Sequence, residues 1–345
     1  MYRKRIVTII VLMGLGIGVY FMLHFYQIFF WKNTRFENEV SYVFIDTDDT
    51  LDSLSIQLEP LLKSVRNFQV AANKKGYTPR PGKYKIPKGL GNNEIINILR
   101  SRRLTVSVTF NNQERLENLA GRLSTQIAAD SLSLLQAFRD PDFLQQNGFT
   151  KETALAMYLP NTYDCFWDIS PIAFRERMLI AYKAFWTEAR KAAAQALGLT
   201  PEEVITLASI VQKESVKASE RPRIAGVYLN RLRKKIKLQA DPTVIYAIKL
   251  ERNDFEGVIK RVLYKDLKLE SPYNTYQAKG LPPGPITMPD LSSIKAVLNP
   301  EKHGYLYFVA NPDQPGYHLF AKTLIGHNRN KKRYTDWLNQ IKVYR

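Results

Sequence analysis

The sequence predicts an α+β protein with a single N-terminal transmembrane helix, a small α+β module and a larger mixed α+β domain. Three observations carry this prediction. They are a long uncharged apolar run near the N-terminus, a stretch in which strand and helix patterns alternate, and a C-terminal part dominated by helical apolar spacing. The expected boundaries are 1–5 for a cytoplasmic tail, 6–30 for the transmembrane helix, 31–105 for the module and 106–345 for the larger domain.

The apolar run predicts a membrane anchor. Residues 6–23 carry no charge, and the run extends to about Phe30, which is long enough to span a bilayer as a helix. The basic residues 3–5 precede it, so we expect one pass through the cell inner (cytoplasmic) membrane and an extracytoplasmic, periplasmic remainder. A cleaved signal peptide is the competing interpretation. It would have a shorter apolar core and a small-residue cleavage site, whereas this run ends in aromatic residues typical of a membrane interface: Tyr26, Phe29, Phe30 and Trp31.

The net charge of +18 predicts attraction to an anionic partner. Nucleic acid, a membrane surface and an acidic polymer of the cell envelope all meet that requirement. Because the predicted topology places most of the chain outside the cytoplasm, the charge favours lipid headgroups or acidic wall polymers. We therefore expect no nucleic-acid partner.

The sequence offers little support for metal or thiol chemistry. Cys165 is the only cysteine, which excludes an intrachain disulfide and a cysteine-based zinc site, and no nearby histidine would activate its thiol. The four histidines form no HExxH pattern. We expect a buried structural cysteine, no metal and no cofactor.

Strand and helix patterns alternate in the small module. Apolar alternation predicts strands at 40–45, 83–86 and 104–110, and helical spacing predicts helices at 51–62 and 93–99. Polar and Pro-Gly turns separate these elements. The pattern alone is equally compatible with a spacer fold and with a ligand-binding module.

The larger domain is predicted to begin with helices. Residues 116–198 have mostly helical spacing, and 174–197 are predicted to form one continuous helix rich in Ala, Arg, Lys and Glu. From Tyr228 onward, short segments alternate with Pro, Gly and Asn clusters, and a strand is expected at 305–310.

One helix start in this domain is well defined. Thr200 is expected as the N-cap, Pro201 as the first helical residue, and Glu203 as the partner that completes a capping box. The helix is predicted to run past Glu214.

Glu214 is a candidate acid because it continues the apolar face of that helix. A carboxyl group on this face is expected to be partly buried, and burial raises its pKa. It would then stay protonated near neutral pH and could donate a proton to a glycosidic oxygen. On the helix pattern alone, a surface glutamate paired with Lys213, Lys217 or an arginine of 221–223 is the competing interpretation. The apolar face consists of Val204, Leu207, Ala208 and Val211.

Five separated motifs occur in the order and spacing of one protein family. They are LASIVQKES at 207–215, IAGVYLNRL at 224–232, LQADPTVIY at 238–246, YNTY at 273–276 and GLPPGP at 280–285. Together they closely resemble the endolytic murein transglycosylase family, also described as YceG-like or MltG. The resemblance implies an anchored enzyme with a LysM-like module and a catalytic domain that has a lysozyme-like, glutamate-bearing helix.

The resemblance also implies a reaction and partners. The expected enzyme is a lytic transglycosylase of nascent peptidoglycan strands that cleaves between N-acetylmuramic acid and N-acetylglucosamine without water. The products would carry 1,6-anhydromuramyl ends, and cleavage would terminate strand elongation beside peptidoglycan synthases. Peptidoglycan glycan strands and the cell membrane are the expected partners.

For catalysis, the resemblance points to Glu214 as the acid and then the base. The family has two acidic residues in this stretch, and Glu214 matches the second, while Gln212 stands at the first. Glu214-Ser215 also resembles the Glu-Ser pair of lysozyme-like transglycosylases. Because a lytic transglycosylase uses the substrate's own hydroxymethyl group as nucleophile, one carboxyl suffices.

Substrate binding is expected from Ser215, Gln239, Asp241, Asn274 and Tyr276. Two of these residues have structural alternatives, since Asp241 would also suit a helix cap and Asn274 an ordered turn. Asp241 is also a candidate second carboxylate, which would make the enzyme a peptidoglycan hydrolase. A different class of function, a non-catalytic wall-binding anchor or scaffold, remains open on the sequence.

Overall fold

A computed structural model describes residues 2–340 and divides the chain into two compact units. The first unit contains the residues up to Val108 together with Thr125–Ala129 and Tyr163–Ser170. The second contains Thr109–Ser124, Asp130–Thr162 and the described residues from Pro171 onward. The protein is mixed α+β, as predicted.

The first unit is built from an apolar helix and an antiparallel sheet covered by helices on one face. The sheet has the order β1-β2-β3-β4, and Val40 of β1 pairs with Pro87 of β2. Residues that alternate along β1 and β2 are buried, so one face of these strands packs on the helices. The elements are α1 (Tyr2–Phe29), β1 (Val40–Ile45), α2 (Leu51–Leu58), α3 (Val65–Lys74), β2 (Gly82–Pro87), α4 (Asn92–Ser101), β3 (Arg103–Phe110) and β4 (Asn161–Phe166), with a 3-10 turn at Glu59–Leu61. The last two residues of β3 and the first two of β4 are assigned to the second unit.

In the described part of the chain, α1 alone is long and apolar enough to cross a membrane. Its residues up to Gln27 are exposed, but Ile28 and Phe29 are buried in the core of the first unit. The Asn92 side chain donates a hydrogen bond to the Ile28 carbonyl (2.6 Å), and the Asn33 side chain donates to Asn92 (2.7 Å). The apolar helix therefore joins the first unit without a linker.

The second unit is mainly helical. Its elements are α5 (Leu116–Ser124), α6 (Ser131–Phe138), α7 (Pro141–Gln146), α8 (Pro171–Phe185), α9 (Glu188–Ala196), α10 (Pro201–Glu214), α11 (Arg221–Arg233), α12 (Asp241–Arg252), α13 (Leu291–Leu298), β5 (Tyr307–Ala310), β6 (His318–Ala321) and α14 (Leu324–Gln340), with 3-10 turns at Ala154–Met157 and Asp266–Lys268. Strands β5 and β6 form an antiparallel pair, against which α14 packs.

Helix α10 forms the core of the second unit. Eight consecutive residues, Val204 to Val211, are buried, and α11, α12 and α13 pack around the helix. The predicted start is confirmed, because the Thr200 side chain accepts a hydrogen bond from the Glu203 N–H and the Glu203 side chain accepts one from the Thr200 N–H. The capping box supplies hydrogen-bond partners to two N–H groups at the start of the helix that have none within it.

The stretch 116–198 is mostly helical, as predicted, and also contains strand β4. Two other sequence predictions are wrong in detail. The helix expected over 174–197 is two helices, because Thr187 adopts an extended backbone and caps α9. Helix α10 ends at Glu214 instead of running past it, because Ser215 is extended (φ −137°, ψ 128°). Arg221 holds the turn that follows, with its Nε donating to the Ser215 carbonyl (3.1 Å).

Candidate active site

Glu214 is the last residue of α10 and lines a pocket of about 310 Å³ within the second unit. Because the helix ends there, the side chain projects from a rigid, buried element into a space that solvent can enter. The pocket is lined by Glu214, Tyr228, Arg231, Leu238, Gln239, Asp241, Tyr276, Tyr307, Phe308, Leu324 and His327.

The environment of Glu214 suits a proton donor. The pKa of this carboxyl is raised to about 7, mainly by burial. The hydrogen bond from Tyr228 lowers this pKa, the charge of Asp241 raises it, and His318 lowers it. The Tyr228 hydroxyl donates to Oε1 of Glu214 at 2.5 Å. A carboxyl with this pKa exists in both protonation states near neutral pH, as a group that acts first as an acid and then as a base requires.

The cations that could have neutralised Glu214 are engaged elsewhere. Lys213 pairs with Glu114 at 2.7 Å, Arg221 with Asp290 at 2.7 Å, and Arg223 with Glu301. Lys217 lies over the ring of Tyr317. Over residues 2–340, Glu214 takes part in no salt bridge, so the surface ion-pair interpretation finds no partner.

A second carboxylate shares the pocket. Asp241 is the first residue of α12, and its Oδ1 accepts a hydrogen bond from the Tyr276 hydroxyl at 2.6 Å. Burial and this carboxylate raise the pKa of Tyr276 well above its usual range, so the hydroxyl stays protonated. Asp241 and Tyr276, both predicted binding residues, therefore lie together in the pocket.

Gln239 reaches the pocket through a left-handed backbone conformation (φ 54°). Its N–H donates to the Thr275 carbonyl (3.1 Å), and its Oε1 accepts a hydrogen bond from Arg231 at 2.5 Å. Arg231 also donates to the carbonyl of Leu306 (2.9 Å), which ties α11 to the chain just before β5. The Arg231 guanidinium therefore holds the Gln239 side chain in place at the edge of the pocket.

Two predicted binding residues do not line the pocket. Ser215 is buried, and its hydroxyl accepts a hydrogen bond from the Lys217 N–H (3.1 Å) in the turn after α10. Asn274 is fully buried, and its side-chain amide donates to the carbonyls of Leu267 and Leu269. Both side chains order the loops that hold the pocket residues.

Gln212, two residues before Glu214, faces away from the pocket. Its Oε1 accepts hydrogen bonds from the Asp290 N–H (2.5 Å) and the Ser293 hydroxyl (3.2 Å) at the start of α13. The Gln212 side chain therefore links α10 to the start of α13.

Several residues in or near the pocket were not singled out from the sequence. Tyr228 and Arg231 lie three apart on α11, a spacing that places both on one helical face. His318 donates its backbone N–H to the buried Glu220 (2.8 Å), and its ring Nδ1 lies 2.7 Å from the same carboxylate. Helical spacing could have paired the first two residues, but the contact between Glu220 and His318 spans 98 residues and has no local signal.

A larger cavity of about 650 Å³ lies at the other end of α10. It contains two carboxylates, but Glu202 accepts a hydrogen bond from Tyr182 (2.6 Å) and Glu203 accepts the N–H of Thr200 in the capping box. The smaller pocket is the better candidate for chemistry, because it brings Glu214, whose pKa burial raises to about 7, together with a second carboxylate, Asp241.

Comparisons with known proteins identify relatives of this chain. A family model described as YceG-like matches residues 43–333. An endolytic murein transglycosylase of Bacillus subtilis (strain 168) is 30% identical over 297 residues, which cover 81% of this chain and 80% of the relative. A protein of the same name from Streptococcus pneumoniae (strain D39) is 38% identical over 139 residues, 40% of this chain and 24% of the relative. The 2.6 Å crystal structure of a YceG-like protein from Listeria monocytogenes matches with a TM-score of 0.57 and 27% identity, covering 84% of this chain and 98% of that chain.

Proposed function

The chain belongs to the YceG-like family, and on this premise we propose that it is an endolytic murein transglycosylase, a lytic transglycosylase of peptidoglycan glycan strands. The observation that carries the proposal is the partly buried carboxyl of Glu214, which projects into a pocket with its pKa raised to about 7. The relatives of this chain that are named endolytic murein transglycosylases support the substrate class.

The proposed reaction needs one carboxyl and no water. Protonated Glu214 donates its proton to the oxygen between N-acetylmuramic acid and N-acetylglucosamine, and the bond from the muramic C1 to that oxygen breaks. The 6-hydroxyl oxygen of the same muramic sugar bonds to C1, and its proton passes to the Glu214 carboxylate. One new 1,6-anhydromuramyl end forms, and Glu214 returns to its starting state.

We propose that Gln239, Asp241 and Tyr276 bind the sugars, with Arg231 holding Gln239 in place. Ser215 and Asn274 would contribute indirectly, by ordering the loops. An alternative is hydrolysis with Asp241 as the second carboxylate, which its position in the same pocket favours. Water would then replace the 6-hydroxyl group as nucleophile.

The anchor, the first module and the cellular setting are proposals of the same kind. We propose that α1 holds the protein in the inner membrane, with residues 1–5 in the cytoplasm and the residues after α1 outside it. In this scheme 31–105 is a LysM-like module, 106–345 is the catalytic domain, and α10 is the lysozyme-like helix that bears the acid. Action on nascent strands would end their elongation near peptidoglycan synthases.

Product analysis tests the reaction. The full chain, in detergent, is incubated with peptidoglycan, and the released muropeptides are weighed by mass spectrometry. We expect 1,6-anhydromuramyl ends, which are lighter by one water than reducing ends. Reducing muramic acid as the main new end would support the hydrolase alternative, and the absence of any cleavage would favour the non-catalytic anchor or scaffold.

A further inference from the structure

The hydroxyl of Tyr228 contacts only one of the two carboxyl oxygens of Glu214. It donates to Oε1 at 2.5 Å, and over residues 2–340 this carboxyl oxygen is its only hydrogen-bond partner. Oε2 accepts no hydrogen bond from the described residues. The two oxygens of the proposed catalytic group are therefore not equivalent before substrate arrives.

The position of the hydroxyl is fixed by packing. Tyr228 is 2% exposed on the buried face of α11, and its ring meets Phe308 edge-on at 5.9 Å between centroids. Burial raises the pKa of Tyr228 well above its usual range, so the phenol keeps its proton. A protonated, buried phenol is stabilised by donating its hydrogen to a neighbouring acceptor, because a buried donor without an acceptor costs free energy.

This preference decides where the carboxyl proton sits. If the proton of neutral Glu214 were on Oε1, the phenol would either accept from it and leave its own buried hydrogen without an acceptor, or donate to a hydroxyl oxygen, which is a weaker acceptor than a carbonyl oxygen. With the proton on Oε2, Oε1 remains an acceptor in both charge states of Glu214. The phenol bond then persists through the whole reaction cycle.

We propose that Tyr228 is a positioning residue that holds Oε1 of Glu214 and leaves Oε2 as the oxygen that exchanges the catalytic proton with the substrate. The inference rests on the proposed function and adds a residue to it. Because the bond is stronger to a carboxylate than to a neutral carboxyl, Tyr228 also makes Glu214 a stronger acid than burial alone would allow. The other charged or titratable groups of the described residues near Glu214 are Asp241 at the start of α12, His318 on β6, Arg231 on α11, His327 on α14, Tyr276 in the loop before α13 and Tyr307 on β5.

Helix α10 carries its own control for this proposal. Tyr182 donates to Glu202 at 2.6 Å near the first turn of the same helix, and it is also buried. Tyr182→Phe removes the same hydroxyl from the same kind of pair, outside the Glu214 pocket. Tyr228→Phe and Tyr182→Phe therefore differ in position and not in chemistry.

The test is the pH dependence of glycan cleavage by the full-length wild type and both variants. Cleavage needs neutral Glu214, so its rate falls as pH rises through the pKa of that group. Tyr228→Phe should move this fall upward by about one pH unit, since a hydrogen bond to a charged group is lost. It should also lower kcat by roughly tenfold with little change in KM. Tyr182→Phe should leave the midpoint where the wild type has it.

A second measurement does not depend on activity. The carboxyl stretch of Glu214, identified as the band missing in Glu214→Gln, is followed by infrared difference spectroscopy as pH is raised. Its midpoint should also move upward in Tyr228→Phe. Unchanged midpoints in both assays would overturn the proposal. Absence of cleavage by the wild type would instead refute the proposed function, while the infrared titration would still decide whether Tyr228 acts on Glu214.

Discussion

The two ends of α10 carry the same chemical pair with different consequences. At the first turn Tyr182 donates to Glu202 at 2.6 Å, and at the last residue Tyr228 donates to Glu214 at 2.5 Å. The helix dipole favours a negative charge at the first end and disfavours it at the second. Asp241 adds a further negative charge near Glu214. A tyrosine–carboxylate pair is thus a structural contact or a poised acid depending on where the helix places it.

The largest difference between the two ends of α10 is expected when the carboxylate at each end is replaced by an amide. Glu214→Gln keeps the acceptor for Tyr228 but removes the transferable proton, so cleavage should fall by about 10²- to 10⁴-fold. Glu202→Gln, the matched change at the other end, should cleave within a few-fold of the wild type. Release of anhydro muropeptides measures both. Normal cleavage by Glu214→Gln would remove this residue from the acid role.

A second test measures how much ionisation of Glu214 lowers the stability of the folded protein. The pKa of Glu214 is raised from 4.5 to about 7 in the folded protein, so folding holds this proton more tightly than the unfolded chain does. Stability from this source is fully present below about pH 4.5 and is lost as pH rises through about 7. Glu214→Gln cannot ionise and should be more stable than the wild type at about pH 8, by roughly 1 to 3 kcal/mol.

Thermal unfolding at about pH 4 and pH 8 measures this difference. At the lower pH both proteins carry a neutral side chain and should unfold at similar temperatures. Equal stability at both pH values would mean that Glu214 is not held in its neutral form by the pocket. Glu202→Gln serves again as the control at the far end of the helix.

Much of the fold was predictable because its signals are local. The capping box of Thr200 and Glu203, the strand at Val40–Ile45 and the apolar helix all follow from residues close together in sequence. The break between α8 and α9 was not predicted, because residues on both sides of the N-cap Thr187 have high helix propensity and were read as one helix. Helix spacing also gave no sign that α10 stops at Glu214, since Arg221 stabilises the following turn through a tertiary contact with Asp290.

The candidate site also contains residues that local sequence signals identify and residues that only the tertiary structure identifies. Glu214 could be singled out because its helix spacing and the motif around it coincide. Asp241 and Tyr276 were chosen from their motifs, but their hydrogen bond joins residues 35 apart and needed the structure. Tyr228 was passed over because a tyrosine on the buried face of a helix is ordinarily a core residue. Only its hydrogen bond to Oε1 of Glu214 distinguishes Tyr228 from an ordinary core tyrosine.

The charge of Asp241 gives a smaller test that sharpens the comparison. Asp241 raises the pKa of Glu214, so Asp241→Asn should lower it and move the fall in cleavage to lower pH, by about half a pH unit. The asparagine keeps an acceptor for Tyr276. The shift is opposite in sign to the one expected for Tyr228→Phe. Product analysis of the same variant bears on the hydrolase alternative, because loss of reducing ends would identify Asp241 as the group that activates water.

The smallest expected effect lies at the capped end of α10. Thr200→Ala removes the oxygen that accepts the Glu203 N–H at 3.2 Å, and loss of such a cap costs about 1 kcal/mol of stability. Thr200→Ser retains the oxygen and should behave as the wild type does. Since the acid lies at the opposite end of a helix buried along eight consecutive residues, the cleavage rate and its pH midpoint should not change in either variant. Thermal unfolding and the cleavage assay test the two halves of this expectation. A shifted pH midpoint in Thr200→Ala would show that the two ends are coupled, and the distinction between a structural end and a chemical end of α10 would then fail.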